Sequence, residues 1–236
     1  MSIVEMLKEA TPKYELTLPS NGEKKLFRPF LVKEEKILLM AKESSDQLTV
    51  MRAVKDLIES CVDIQNVEKL PMFDIEYMYL QLRSKSIGEM LTPTYVFPET
   101  DDSVTLEINI DDIKVEFDKE HKKEVKITDD IIVTMNYPNI SILEKISEND
   151  GEESIPLFNL IIHCIEEIST KEESLGKNML SVSELSEFVN NFTKEQYEKM
   201  VEFFSTSPKL EYKDTIKTKE GKEKEIVLKG LMDFFK

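Results

Sequence analysis

The sequence predicts an α+β fold: a mainly helical body with an N-terminal hairpin, a β insert in its middle and a C-terminal hairpin. Three observations carry this. Over residues 47–61 and 73–85 the apolar residues recur three and four apart, the spacing of a helix with one buried face. Over 91–133 that spacing gives way to short alternating runs between acidic turns, the pattern of strands. Asn21-Gly22 and Glu220-Gly221 each lie between two such runs, where the chain is expected to reverse.

The elements follow in order. Residues 1–10 are expected to form a short amphipathic turn with Ile3, Met6 and Leu7 on one side. Residues 14–18 alternate and read as a strand, and 25–31 as its returning partner, with Pro29 placing it at an edge or a strand end. Ile37, Leu38, Met40 and Ala41 amid charge make 32–43 helical. Ser45 or Asp46 is placed to cap the next helix, 47–61, whose Val50, Met51, Val54, Leu57, Ile58 and Cys61 form one stripe. Helix resumes over 73–85, with Gly88 just past its end as a C-cap.

Strands are expected at 94–97, 104–110, 113–117, 124–128 and 131–135. After Tyr137-Pro138-Asn139 a helix over 140–146 is expected, broken at Asp150-Gly151, then an apolar helix over 156–168. Ser183 or Ser181 caps a helix ending at Asn190, and Thr193 with Gln196 forms a capping box for the next. A hairpin over 209–217 and 225–228 precedes a hydrophobic tail. The parts divide as 1–90, 91–136 and 137–236, expected to pack as one compact unit with the insert projecting. Residues 57–64 faintly echo 161–168, so a duplicated helical unit and a chance likeness both stand.

Composition narrows the function classes. At 236 residues with 40% hydrophobic and 33% charged side chains, the chain holds enough apolar mass for a folded core. A net charge of −16 repels phosphate backbones and anionic membranes, so neither nucleic acid nor a membrane is expected as partner. The charge suits solubility first and a basic protein partner second. Residues 1–10 mix acidic residues into their apolar pattern with no basic leader, unlike a secretory signal. Cys61 and Cys164 read as reduced core thiols.

No catalytic, metal or cofactor site emerges from the residues. His163 and Cys164 are adjacent, and neighbours in a helix do not share a face, so they do not chelate one ion readily. His121 lies in a charged stretch and is expected to be a solvated loop residue. Asp101-Asp102, Asp111-Asp112 and Asp129-Asp130 lack the alternating ligands and glycine bend of a calcium loop. Adjacent strand residues face opposite ways, so these pairs read as turn residues. No Gly-rich phosphate loop and no G-x-S-x-G elbow occurs.

Arg28 and Arg83 stand out in a chain that otherwise favours lysine. The planar guanidinium suits a bidentate carboxylate pair, which here is either an internal pin between strand and helix or an anchor at an interface. The tail places Leu231, Met232, Phe234 and Phe235 within a short span. Burying one phenylalanine is worth roughly 1.5–3 kcal/mol, so the segment is expected to dock, onto its own helices or into a partner. These six residues are the candidate interface side chains.

Four stretches carry a family resemblance: FRPFLVKEEKILLMA at 27–41, LPMFDIEYMYLQLRSKSIGE at 70–89, IIVTMNYP at 131–138 and LKGLMDFF at 228–235. In this order, over almost the whole chain, they resemble the baseplate hub assembly proteins of T4-type contractile-tailed phages. The resemblance implies a non-enzymatic protein without cofactor. It would act in assembling the central hub, in the host cytoplasm, on hub or tape-measure proteins. A stoichiometric hub subunit kept in the virion is the alternative, and a carboxylate-based hydrolase the alternative of another class. Oligomeric state is left open. Relatives carry cysteine pairs in the β insert or terminal hairpin, whereas 95–110 and 212–228 contain none here, so no metal-ribbon role transfers.

Overall fold

The computed structural model describes residues 10–43, 46–97, 103–149, 156–217 and 223–234. The expected turns at 1–9, Asp101-Asp102, Asp150-Gly151 and Glu220-Gly221, the Ser45 cap and Phe235 lie outside them. Along the chain come β1 (Tyr14–Thr17), β2 (Lys24–Phe27), α1 (Val32–Glu43), α2 (Gln47–Cys61) and α3 (Met72–Ser86). Short strands follow: β3 (Met90–Leu91), β4 (Thr94–Val96), β5 (Ser103–Thr105), β6 (Ile108–Asn109) and β7 (Lys114–Glu116). Next are β8 (Glu124–Lys126), β9 (Ile132–Met135), α4 (Ile140–Asn149), α5 (Pro156–Cys164), β10 (Ile165–Ser169) and β11 (Ser174–Gly176). The chain closes with α6 (Val182–Asn190), α7 (Lys194–Thr206), β12 (Lys209–Lys217), β13 (Glu223–Lys229) and α8 (Gly230–Phe234). This is an α+β architecture in which every sheet is small.

Contacts divide the chain into two units, Met1–Glu116 with Lys209–Lys236, and Phe117–Pro208. In the first, α2 supplies the centre. Asp46 caps it by accepting from Thr49 N at 2.9 Å, and Val50, Val54, Leu57, Ile58 and Cys61 are buried on one face, as their spacing requires. Helix α3 buries Phe73, Ile75, Met78, Tyr79 and Leu82. Its C-terminal turn ends at Gly88, whose φ of +149° a side chain would resist. Strands β13, β12 and β7 form one antiparallel sheet in that order. Gly230, at φ +68°, turns β13 directly into α8.

In the second unit β11, β10, β9 and β8 make a four-stranded antiparallel sheet. One apolar cluster packs against it, including Val133, Met135, Ile161, Cys164, Leu185, Met200 and Phe203. Helices α6 and α7 begin with full capping boxes, Ser181 with Glu184 and Thr193 with Gln196, so two orphan N–H groups are satisfied at each start.

The structure departs from the sequence reading in three places. Helix over 156–168 stops at Cys164, and Ile165–Ser169 pairs with β9 as a strand. The run LIIHCIEEI is apolar at both periods, and its β-branched isoleucines accept either state. The free edge of β9 decides it. Strands of 91–136 also do not make one sheet. Strands β3–β6 and β4–β5 pair locally, β7 joins β12, and β8 and β9 join β10. Strand signals are local, whereas pairing partners come from distant sequence, so the pattern alone does not assign them. Finally, His121 is half-buried rather than solvated, held by aromatic neighbours described below.

Candidate functional site

In the first unit the most connected polar side chain is Arg28. Its backbone N–H donates to Cys61 O at 2.9 Å, and Phe27 forms a β-bridge with Val62. The guanidinium donates through Nη2 to Glu34 Oε1 at 3.0 Å and to Ser60 O at 2.9 Å, and through Nη1 to Pro29 O at 2.9 Å. One side chain thus ties the end of β2 to the first turn of α1 and to the C-terminal carbonyls of α2, where a cation also complements the helix dipole.

Glu34 completes the corner. It is buried, and its Oε2 accepts Leu31 N at 2.8 Å, while Lys33 Nζ lies 3.1 Å from Oε1. Burial works to raise the Glu34 carboxyl, but Leu31 N–H, Arg28 and Lys33 outweigh it and hold it below the ordinary carboxylate range. Clefts of about 280 Å³ and about 240 Å³ flank the guanidinium, the first reaching Lys13 and Asp63, the second Thr11, Leu31 and Lys33. Burial pushes the Cys61 thiol up to about 11 despite Arg28 nearby, so no thiolate nucleophile is prepared here. The corner is a scaffold, and what it presents is α1.

Helix α1 buries Glu34, Leu38 and Ala41 on its inner side. Its outer side exposes Val32 at 66%, Ile37 at 49%, Leu39 at 56% and Met40 at 72%. Ile37 and Leu39, two apart, project from opposite flanks of that side, and Lys36 lies between Val32, Leu39 and Met40, so the exposed residues make a mixed face in which apolar side chains flank a lysine. Sequence reading missed this face. The available signal was the unbroken run Ile37-Leu38-Leu39-Met40, since consecutive apolar residues wrap around a helix and one inner face cannot take them all.

The other candidate interface residues lie elsewhere in the same unit. Arg83 donates through Nη1 to Gly88 O and Met90 O, both at 3.2 Å, tying the end of α3 to β3. Phe234 is 1% exposed, and α8 packs on α3, β12 and β13. The side chains of Leu231 and Met232 lie outside the described residues.

The second unit gathers two titratable clusters. Thr206 Oγ1 donates to Glu202 O at 2.9 Å and so accepts from His121 Nδ1 at 2.9 Å. That leaves Nε2 to accept from Tyr137 OH at 3.1 Å. The imidazole stacks on Tyr137 and packs on Phe203, and burial lowers its pKa. Both nitrogens are occupied, by the Thr206 and Tyr137 hydroxyls. In the other cluster Lys177 Nζ donates to His163 O at the end of α5, and burial lowers the Lys177 ammonium. Burial also pushes the adjacent Cys164 thiol up to about 12.

Acidic pairs act as turn residues. Asn109 Oδ1 accepts from Asp111 N at 3.0 Å, and Asp129 pairs with Lys126 at 2.7 Å on the surface. Among the described residues no group of three or more His, Cys, Asp or Glu is placed to hold a metal ion. None of the described helices is long and apolar enough to cross a membrane.

In the first unit the corner held by Arg28 and Glu34 carries α1, on which Val32, Leu39 and Met40 are exposed. The family model described as T4 bacteriophage base plate protein matches residues 11–236. The chain belongs to that family, which gives it a structural or assembly role in the phage baseplate. No curated protein and no solved structure gives a match.

Proposed function

We propose that this chain is a non-enzymatic assembly factor for the central hub of the baseplate. It would bind a hub or tape-measure subunit in the host cytoplasm and hold it in an assembly-competent state. The observation that carries this reading is the family match over residues 11–236, and the exposed Val32, Leu39 and Met40 on α1 beside the Arg28–Glu34 corner support it. Exposed apolar side chains on an anchored helix offer binding energy to a partner without a reacting group, which is what a holding role needs. Net charge of −16 keeps the free protein soluble and steers it toward a less acidic partner.

A second reading, a stoichiometric hub subunit, draws on the same face and the same family. Quantitative mass spectrometry of purified virions separates the two. Near-absence of the chain from particles supports the assembly factor, and a fixed small copy number per tail supports the subunit.

A further inference from the structure

The sheet of the second unit ends on a short strand with an open outer edge. In the order β11-β10-β9-β8, β8 is last, and among the described residues no strand pairs with its far side. The pairing with β9 fixes which main-chain groups lie on that side. Val125 stands opposite Val133, Lys123 O accepts from Met135 N at 2.8 Å, and Ile127 N donates to Ile131 O at 3.0 Å. Main-chain groups of successive residues turn to alternate edges of a strand, so those of residues 123, 125 and 127 face β9. The N–H and C=O groups of Glu124 and Lys126 therefore face outward. A cleft of about 450 Å³ lies between β8 and α7, walled on the helix side by Lys199, Glu202, Phe203 and Thr206, so α7 leaves room beside the strand.

Charged residues on an edge strand normally keep it single, because they repel an arriving strand. Strand β8 reads Glu-Val-Lys, with both charged side chains exposed and Val125 in the apolar cluster. Turned about a two-fold axis through Val125, this triplet meets its own complement. Glu124 of each copy comes opposite Lys126 of the other, on the solvent face. Opposite charges directly across an antiparallel pair stabilise it, and like charges oppose it. A slip of two residues would set Glu124 against Glu124 or Lys126 against Lys126, so the charges select one register. A foreign strand would need an acid, an apolar residue and a base in that order, and β8 itself supplies them.

We propose that two copies of this chain pair antiparallel along their β8 edges, with Val125 on the two-fold axis, joining two four-stranded sheets into one. The contact is isologous and closes at two copies. Each copy donates its Glu124 and Lys126 amides to carbonyls of the other. Val125 meets Val125 on the face that carries the apolar cluster. Lys126 also holds Asp129 of its own turn at 2.7 Å, and its ammonium has three donors to share. The net charge of −16 opposes association at long range and is screened beyond ~8 Å in physiological salt, so the dimer is expected to be weak and reversible.

Sedimentation equilibrium of the full-length protein, from micromolar to near-millimolar concentration, tests this. Reversible exchange between monomer and dimer is expected, and a monomer throughout overturns the proposal. Glu124→Lys and Lys126→Glu each set like charges across the axis twice and are expected to weaken the dimer at least about tenfold. Glu124→Lys also makes the chain less acidic, so overall repulsion alone would instead strengthen association. The double variant E124K/K126E keeps the parent's net charge, exchanges the two partners, and is expected to dimerise like the parent. Single variants that dimerise like the parent, or a double variant no tighter than the singles, overturn the β8 edge. Residue-resolved amide exchange in the unaltered protein reads the same edge without any variant. The Glu124 and Lys126 amides are expected to exchange more slowly as concentration rises, while Val125, already turned to β9, stays constant. Unchanged exchange at Glu124 and Lys126 across the dimerising range overturns the proposal.

Discussion

Asp74 holds Ser20 by two hydrogen bonds: Oδ1 accepts Ser20 N at 3.0 Å, and Oδ2 accepts the Ser20 hydroxyl. The contact closes the loop between β1 and β2 onto the first turn of α3. Asp74 is 0% exposed, and burial raises its carboxyl pKa even though both Ser20 bonds act to lower it.

The sign of the resulting pH dependence follows. A carboxyl whose folded pKa is raised contributes its full stability below the unfolded value of about 4, and that stability is lost as pH rises through the folded pKa. Asp74→Asn retains an acceptor for Ser20 N–H and offers an NH2 to the hydroxyl, without the charge. It gives up an anion at a helix N-terminus, worth roughly 0.3–1 kcal/mol. The raised pKa reflects burial outweighing the two Ser20 hydrogen bonds. The variant is expected to melt above the parent at pH 7, with the gap shrinking as pH falls through the raised folded pKa and closed by pH ~4. A lower melt at pH 7 would show that hydrogen bonding and the helix dipole dominate.

Arg28→Met leaves Glu34 buried without its guanidinium. Removing one partner of a buried pair costs about 3–5 kcal/mol, and the partial exposure of Arg28 places this case at roughly 2–3. Arg28→Lys keeps the charge but not the planar fork that reaches Glu34, Ser60 and Pro29 together, so it should fall between. Glu34 has a lowered pKa, so its contribution is present above the unfolded value of about 4.3 and is lost as pH falls through the folded pKa. The Arg28→Met deficit is therefore largest near neutral pH and shrinks in acid. Thermal melts from pH 3 to 8 read this, and equal melts of variant and parent at pH 7 would contradict it.

Phe234 is a core side chain of its own unit, so Phe234→Ala is expected to cost about 3–5 kcal/mol. Deleting residues 230–236 should likewise lower the melting temperature of the isolated protein. A tail that served only a partner would leave the melt unchanged on deletion, and a calorimetric scan distinguishes the two.

Helices and caps were legible because their signals are local. The stripe of α2, the Asp46 cap and both capping boxes stand in the sequence at the positions where the structure uses them. Arg28 was legible as a special residue, and its partner Glu34 lies close by in sequence. What escaped depended on distant residues. Strand β7 at Lys114–Glu116 finds β12 at Lys209–Glu211, well over a third of the chain away, and β10 pairs as a strand where β9 offers it an edge. His121 reads as a charged-loop residue until folding brings Tyr137, Phe203 and Thr206 around it. The echo between 57–64 and 161–168 was visible as a few letters. The carbonyl contacts of Cys61 and Cys164 with Arg28 N and Asn136 N are displayed by no such pattern.

A role for this chain in building the baseplate hub through protein contact is read out by electron microscopy of lysates from cells infected with phage lacking it. Filled heads are expected to accumulate beside tail parts without assembled hubs, and normal tails to return when the full chain is supplied. Complete tails with normal hubs in its absence would contradict it.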